Sequence, residues 1–218
     1  MPLAGARFSR EPHMEKSEAI ERLRGLLGQD LVALAKRYGV TVRKGCKLNK
    51  GWAGHVIERY LGFPLNSAQL PNGGRWELKV VPLRRLRDGR IVPKETMAIT
   101  MINPRDVLAR PFEKSHLLMK LREIVVCARM FESKEEVCSR LVSVGTFDLD
   151  DPQVYDRVRA DYEEVRETIR TRGFDALTGR MGVLVQPRTK GPGHGSRSRA
   201  FYARKEFVAR ILKLPGNE

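Results

Sequence analysis

An acid and a lysine stand one residue apart in the otherwise apolar segment WELKVVPL, at Glu77 and Lys79. Alternate side chains of a β-strand share a face, so both charged groups would point the same way while Leu78 turns into the core. The carboxylate could hold a divalent cation, and the lysine could orient water or stabilise charge on a phosphate, as phosphodiester cleavage requires. A surface ion pair on a half-exposed strand is the commoner explanation of the same pattern.

The charge of the chain indicates its class of partner. Its 218 residues include 41 Lys and Arg against 26 Asp and Glu, which gives a net charge of +15. An excess of this size attracts polyphosphates, so a nucleic acid is the leading partner. The length suits one domain, and the cysteine spacings match no zinc or disulfide framework, which favours a cytoplasmic protein. No window approaches the roughly 20 apolar residues of a membrane span, so we expect no membrane contact.

Hydrophobic spacing predicts the elements that precede the charged strand. Apolar residues recur at helical intervals over residues 15–38, which predicts two short helices. A basic loop over residues 42–50 leads into GWAGHVIERYLG, an amphipathic helix in which Trp52 is a predicted core residue. Turn-forming residues fill 64–74, immediately before the strand that carries Glu77.

The remainder of the chain predicts further helices and strands. Residues 76–81 and 97–102 are predicted strands, and the basic segment RRLRDGR between them suggests a hairpin. A helix over SHLLMKLRE and a strand over IVVCARMF follow, and residues 151–171 form a long acidic helix whose acids face solvent. Near the end of the chain we predict a strand that ends near Gln186, a glycine-rich loop, and a helix that starts near Arg204.

Two basic segments are candidates for contact with DNA. A predicted turn between strands carries four arginines that either face solvent or reach a phosphate backbone: Arg84, Arg85, Arg87 and Arg90. The loop over residues 189–199 combines phosphate donors such as Lys190 with a candidate base reader, His194. Its Arg197 and Arg199 could bind guanine bidentately in the major groove. A solvated loop without a partner is the alternative interpretation.

Four sequence blocks occur in an order that is typical of one known group of enzymes. The blocks are KGWAGHVIERYLG, WELKVVPL, EKSHLLMKL and AFYARKEF, and together they extend from Lys50 to Phe207. They resemble the MutH family, the strand-nicking endonucleases of bacterial mismatch repair, and the related restriction endonucleases that cut GATC. BcnI and MvaI, restriction enzymes of the same group, share the helix and the E-x-K strand.

The resemblance implies a PD-(D/E)xK nuclease of the restriction-endonuclease type. Its fold class is α/β with an α+β mixed sheet, flanked by helices, and two lobes form a DNA cleft. One nuclease domain would cover residues 1–218, with an N-terminal helical part over 1–62, a catalytic sheet over 63–130, and a C-terminal lobe with the recognition loop over 131–218. Mg²⁺ would be the cofactor and double-stranded DNA the partner.

The resemblance also assigns roles to residues of this chain. Glu77 and Lys79 match the E-x-K pair, and Glu58 matches a carboxylate on the preceding helix. Lys120 matches the lysine after the SH block, which is expected near the scissile phosphate, while Tyr202 matches a tyrosine near the recognised bases. The residues assigned to catalysis are Glu58, Asn72, Glu77, Lys79 and Lys120, and those assigned to the metal are Asn72, Glu77 and Leu78. The residues assigned to DNA binding are Lys47, Lys50, Arg84, Arg85, Arg188, Lys190, His194, Arg197, Arg199 and Tyr202.

The sequence departs from the family pattern at one metal ligand. The family has an aspartate shortly before E-x-K, whereas this chain has Asn72 five residues before Glu77, at the spacing that BcnI uses. An amide oxygen can ligate Mg²⁺ but carries no charge, so metal affinity and water activation should both fall. Either the natural protein has a weakened site, or the chain carries an aspartate-to-asparagine change that lets it bind DNA without cutting it. The third alternative is a slipped alignment, although no aspartate lies between Asp30 and Asp88.

Three functions fit these observations. The main prediction is a Mg²⁺-dependent type II restriction endonuclease, because GPGHGSRSR is shorter than the equivalent insertion in MutH. The alternatives are a mismatch-repair nicking endonuclease and, in another class, a catalytically silent site-specific DNA-binding protein. The sequence leaves open whether the protein acts on DNA as a monomer or as a homodimer. An RNA-binding protein is supported by charge alone.

Overall fold

The computed structural model describes residues 14–63, 76–147, 149–191 and 197–215. The α-helices in these ranges are α1 (Lys16–Arg24), α2 (Leu31–Arg37), α3 (Trp52–Tyr60), α4 (Pro104–Ala109), α5 (His116–Arg122), α6 (Pro152–Arg172) and α7 (Lys205–Ile211). The β-strands are β1 (Arg43–Lys44), β2 (Lys47–Leu48), β3 (Glu77–Arg85), β4 (Ile91–Pro93), β5 (Met97–Met101), β6 (Ile124–Met130), β7 (Leu141–Phe147), β8 (Val185–Thr189) and β9 (Arg199–Ala203). Short 3₁₀ helices cover Phe112–Lys114 and Phe174–Ala176.

Two sheets organise the described residues. The larger sheet is mixed and has the order β4-β3-β6-β7, in which β3 and β6 run parallel from the pair Glu77 and Ile124. The smaller sheet has the order β5-β9-β8 and is antiparallel, while β1 and β2 form a separate two-stranded ribbon. The predicted mixed sheet flanked by helices is therefore confirmed, as is its fold class.

The strand that carries Glu77 does not pair as the sequence suggested. It forms a hairpin with the short strand β4, in which Leu83 lies opposite Pro93. Strand β5 instead pairs with β9 in the smaller sheet, with Met97 opposite Ala203. The predicted hairpin between residues 76–81 and 97–102 is wrong, because the chain turns back earlier and then crosses to the other sheet.

Each face of the larger sheet is covered by a separate apolar core. Leu78 and Val125 point to the face that α1, α2 and α3 cover, where Trp52 is fully buried. Val126 and Ala128 point to the opposite face, which packs against residues of α5, α6 and α7. The prediction of Trp52 as a core residue is confirmed, and Leu78 turns inward as the alternation of β3 requires.

Helix α6 is the longest helix described. It packs in the core that α5, α6 and α7 form on one face of the larger sheet, and that core also contains residues of the smaller sheet. Its N-terminus is capped by Asp151, which accepts a hydrogen bond from the backbone of Gln153, and Gly173 ends it with a φ of 85°. The predicted long helix is confirmed, but its acids do not all face solvent. Asp161 is 3% exposed, and hydrogen bonds from backbone amides near β8 offset the cost of burying its carboxylate.

The C-terminal region contains more strand than the sequence predicted. Strand β8 continues to Thr189 rather than ending near Gln186, and β9 occupies residues that we expected to lie in a loop. Helix α7 starts beside Arg204, as predicted. Strand β7 and the ribbon of β1 and β2 were not predicted. Among the described helices, none is both long and apolar enough to cross a membrane.

Candidate functional site

Strand β3 positions the central charged pair at the start of the larger sheet. The backbone amide of Glu77 donates to the carbonyl of Glu123, the residue between α5 and β6, over 2.8 Å. Glu77 is only 8% exposed, although it lies at the end of a strand. Lys79 is half-buried on the same side of β3, as the two-residue period predicts.

Two lysines hold the carboxylate of Glu77. The Nζ atom of Lys79 lies 2.7 Å from Oε1, and the Nζ atom of Lys120 lies 2.7 Å from Oε2. Lys120 is 9% exposed and reaches Glu77 because α5 leads directly into β6, the parallel neighbour of β3. A surface ion pair therefore does not describe this group, which is largely buried. Burying charges is costly even when they are paired, so such a cluster is more typical of a functional site than of a stabilising one.

A third lysine approaches from the smaller sheet. The pKa of Lys190 is lowered, first by partial burial of its ammonium group and then by the positive charge of Lys79, while Glu77 acts in the opposite direction. Lys190 follows β8, and its backbone amide donates to the carbonyl of Ser198, 2.9 Å away. Lys190 therefore adds a third positive charge that interacts electrostatically with Lys79 and Glu77, and the excess of positive charge suits a phosphate.

An open groove of ≈ 530 Å³ extends from this cluster between the two sheets. Its polar lining includes Lys79, Glu95, Thr96, Arg188, Thr189 and Tyr202. Arg188 donates to Oγ1 of Thr96 over 2.9 Å, and its guanidinium lies 5.8 Å from the centre of the Tyr202 ring. The pKa of Tyr202 is raised mainly by burial. Hydrogen-bond donors and acceptors thus share one wall of the groove.

Other residues that we assigned to DNA binding lie farther from Glu77. Arg84 and Arg85 are exposed at the opposite end of β3, roughly 25 Å from Glu77 along the strand at its usual rise per residue. Lys47 and Lys50 are exposed on the ribbon and just before α3. Their roles remain predictions, as do those of two residues beside β9: Arg197, which is exposed, and Arg199, which is half-buried.

The remaining assigned residues are Glu58, Asn72 and His194. Glu58 is half-buried on α3, the helix that packs against Leu78, and its catalytic role remains a prediction. Asn72 and His194 lie outside the described residues.

Two residues that line the groove, Glu95 and Thr96, were not predicted from the sequence. Nothing in their immediate sequence distinguishes them, because the groove forms only when β5 packs into the smaller sheet.

The donor set offers limited support for a divalent cation. Within residues 14–63, 76–147, 149–191 and 197–215, no three His, Cys, Asp or Glu side chains converge. Between Glu58 and Glu77 the sequence contains no acid, and Leu78 could contribute only its backbone oxygen because its side chain is a hydrocarbon. Mg²⁺ commonly takes one or two carboxylates and completes its shell with water and substrate oxygens. A Mg²⁺ site at Glu77 therefore remains a prediction, and it would depend on oxygens from water and substrate.

A mixed sheet that carries an E-x-K strand at the edge of a basic groove defines the class of fold, that of the PD-(D/E)xK nucleases. The family model "DNA mismatch repair enzyme MutH" matches residues 61–158, which include β3, α5 and β6. The curated DNA mismatch repair protein MutH of Vibrio parahaemolyticus is 28% identical, with 93% of this chain and 94% of the relative covered. The corresponding protein of Shewanella baltica is 26% identical, with coverage of 89% and 93%. The chain is MutH-like, as its four sequence blocks predicted.

Proposed function

We propose that this protein is a double-stranded DNA endonuclease of the mismatch-repair nicking type, which hydrolyses one phosphodiester per encounter. The carboxylate of Glu77, held between Lys79 and Lys120 at the head of a basic groove, is the observation that carries the proposal. The relatives are named for mismatch repair, so they support this alternative better than a type II restriction enzyme. DNA as the partner also indicates a cytoplasmic site of action.

The residues of the cluster divide the chemistry between them. Lys79 is the more exposed of the two lysines bonded to Glu77 and lines the groove, so it is suited to orient a water molecule or to bind the scissile phosphate. Lys120 is buried and fixes the second oxygen of Glu77. Mg²⁺, when bound, would polarise the phosphoryl oxygen and lower the pKa of water. Arg188, Lys190 and Tyr202 would hold the DNA in the groove.

A catalytically silent DNA-binding protein is the second candidate. The absence of any acid between Glu58 and Glu77 favours it, since the family's aspartate has no charged counterpart in that segment. On this hypothesis the lysine cluster binds a phosphate, and hydrolysis does not follow. Asn72 is the residue whose replacement separates the two candidates.

The test is the conversion of supercoiled plasmid DNA by this chain, by its Asn72→Asp variant and by Asn72→Asp combined with Lys79→Ala. We expect weak nicking by the original chain with Mg²⁺ or Mn²⁺ and a rise of about tenfold or more with Asn72→Asp, because a charged ligand binds the cation more strongly. Open circles would indicate nicking, and linear DNA with defined ends would indicate restriction. Combining Lys79→Ala with Asn72→Asp should abolish the increase in nicking that Asn72→Asp produces.

A matched control separates catalysis from general loss of charge. Lys114→Ala removes a lysine that is exposed on a 3₁₀ helix, and it should leave nicking unchanged in the Asn72→Asp background. If neither the original chain nor Asn72→Asp cuts, while both bind duplex DNA in EDTA, the silent binding protein is the correct function. Analytical ultracentrifugation with a short duplex would then distinguish a bound monomer from a homodimer.

A further inference from the structure

A buried acid fixes the segment that leads into the smaller sheet. Asp161 lies on α6, and its carboxylate accepts hydrogen bonds from three consecutive backbone amides, those of Val183, Leu184 and Val185, over 2.7, 2.7 and 2.8 Å. Charge-assisted hydrogen bonds of this kind are shorter and stronger than neutral ones. Val185 is the first residue of β8, so Asp161 is bonded to the start of that strand.

An arginine holds the same segment from the other direction. The guanidinium of Arg204 donates to four consecutive backbone carbonyls over 2.9 to 3.2 Å, those of Gly179, Arg180, Met181 and Gly182. Its backbone amide donates to the carbonyl of Leu184, 2.9 Å away. Arg204 directly follows β9, two residues after Tyr202. One side chain thereby links the end of β9 to the segment that precedes β8.

The segment has little freedom to adopt another shape. Gly182 has a φ of 70°, and a Cβ at this position would lie 1.8 Å from the carbonyl oxygen of Val185. Arg204 therefore binds the backbone carbonyls of residues 179–182, and Asp161 binds the backbone amides of residues 183–185. We call Asp161 and Arg204, with residues 179–185 between them, the loop clamp.

We propose that Asp161 and Arg204 are positioning residues for DNA binding, which act through Arg188, Lys190 and Tyr202. These three residues belong to β8, to the residue after it, and to β9, and the loop clamp ties both strands to α6. Donors that are already ordered lose less conformational entropy when DNA binds. The inference rests on the proposed binding of DNA but not on cleavage, so it applies equally to an active enzyme and to a silent binding protein.

A double-mutant cycle tests the proposal. Affinity for a fluorescent 20-base-pair duplex of mixed sequence is measured in EDTA for the original chain, Arg204→Gln, Arg188→Ala and the double variant. If Arg204 acts through Arg188, the loss of duplex affinity caused by Arg188→Ala should be smaller by about fivefold or more in the Arg204→Gln background than in the original chain. Equal losses in both backgrounds would overturn the proposal.

Matched variants exclude effects of charge alone. Arg170→Gln removes an exposed arginine from α6 and should show no coupling to Arg188→Ala. Arg84→Ala removes a basic residue of the other sheet, and its effect should be the same with or without Arg204→Gln. Arg204→Lys keeps the charge but has fewer donors, so it should restore only part of the coupling.

Hydrogen exchange provides a readout that does not need DNA. Asp161→Asn keeps the side-chain shape, and it should accelerate amide exchange by about tenfold or more in residues 183–190, while β3 and β6 stay protected. Asp156→Asn, an exposed acid on the same helix, is the control and should change nothing. Unchanged exchange in Asp161→Asn would disprove the loop clamp even if Arg204→Gln does not fold. If the original chain binds no duplex, the positioning role fails together with the proposed function, and an exchange effect then shows only that Asp161 orders residues 183–190. If the chain binds duplex but Arg204→Gln and Arg188→Ala show no coupling, the positioning role alone fails.

Discussion

At the scale of single residues, Glu77 is unusual because both of its oxygens are bonded to ammonium groups in a largely buried position. Lys120 supplies one of these groups from 43 residues away in the sequence, and Lys79 supplies the other from the same strand. Either lysine alone would satisfy the charge of a carboxylate. The second lysine gives the cluster the positive potential that a phosphate requires.

Replacement of Lys120 by Met should destabilise the protein. The change keeps much of the side-chain volume but leaves the buried Glu77 with a single partner, and the loss of one member of a buried ion pair costs about 3 kcal/mol. Urea unfolding followed by circular dichroism measures the free energy of unfolding. Lys114→Met, on the exposed 3₁₀ helix, should change it by less than about 0.5 kcal/mol. A similarly small change for Lys120→Met would show that Glu77 does not need this partner.

Lys190 should make DNA binding sensitive to alkaline pH. Its lowered pKa means that the folded protein loses this charge at a lower pH than the ordinary value of 10.5. The ammonium group that binds phosphate is present below the lowered pKa and is lost as the pH rises through it. Affinity for duplex DNA should therefore begin to fall at a lower pH than the titration of an ordinary lysine would give. Fluorescence anisotropy of a labelled duplex, at fixed ionic strength and increasing pH, would measure this affinity.

The control for this pH effect is Lys190→Arg. Arginine stays protonated over the same range, so the variant should retain its affinity where the original chain loses it. A parallel decline in both proteins would assign the pH dependence to another group.

At the scale of elements, the parallel pair β3 and β6 is the framework of the candidate site. All seven residues of β6 are buried, and the strand lies between β3 and β7. Pairing with β3 fixes the register of β6, in which Ile124 lies opposite Glu77. Strand β7 lies at the edge of the larger sheet and packs against the end of α7, where Gly145 approaches Ile211. The close approach of β7 to α7 leaves no room for a side chain at position 145.

Substitution of this glycine should therefore be costly. A Cβ on Gly145 would lie 2.7 Å from the backbone oxygen of Ile211, so Gly145→Ala should destabilise the protein by about 1–3 kcal/mol. Gly54→Ala is the matched control, since Gly54 lies inside α3 and a Cβ there would meet nothing within 4 Å beyond the backbone of its own helix. It should stabilise the helix by about 0.5–1 kcal/mol. Opposite signs in thermal unfolding would support this packing, and equal effects would contradict it.

At the scale of the whole molecule, two sheets with separate roles meet at one groove. The larger sheet contributes Lys79, the partner of Glu77, and the smaller sheet contributes Arg188 and Tyr202. A net charge of +15 supplies long-range attraction for DNA, while the groove confines the contacts to one side of β3. The loop clamp ties the smaller sheet to α6 and includes no residue of β3, so substitutions in it should leave the contacts between Glu77 and Lys79 intact.

Much of this organisation follows from the sequence by itself. The period of two in WELKVVPL placed Glu77 and Lys79 on one face, and helical spacing identified α3, α5 and α6. The charge indicated a polyanionic partner, and four blocks in order identified a MutH-like chain. These features are local or compositional, so they do not require knowledge of which distant segments meet.

Only the tertiary structure decided which segments come together. It paired β5 with β9 rather than with β3, brought Lys120 into contact with Glu77, and buried Asp161 on a helix that looked solvated. It also placed Lys190 where the charges of Lys79 and Glu77 act on it. Periodicity reports which side of an element is buried but not its partner, and the energy of a buried charge depends on groups that are remote in sequence. For that reason the E-x-K strand was predictable from the sequence, whereas the lysine cluster and the loop clamp were not.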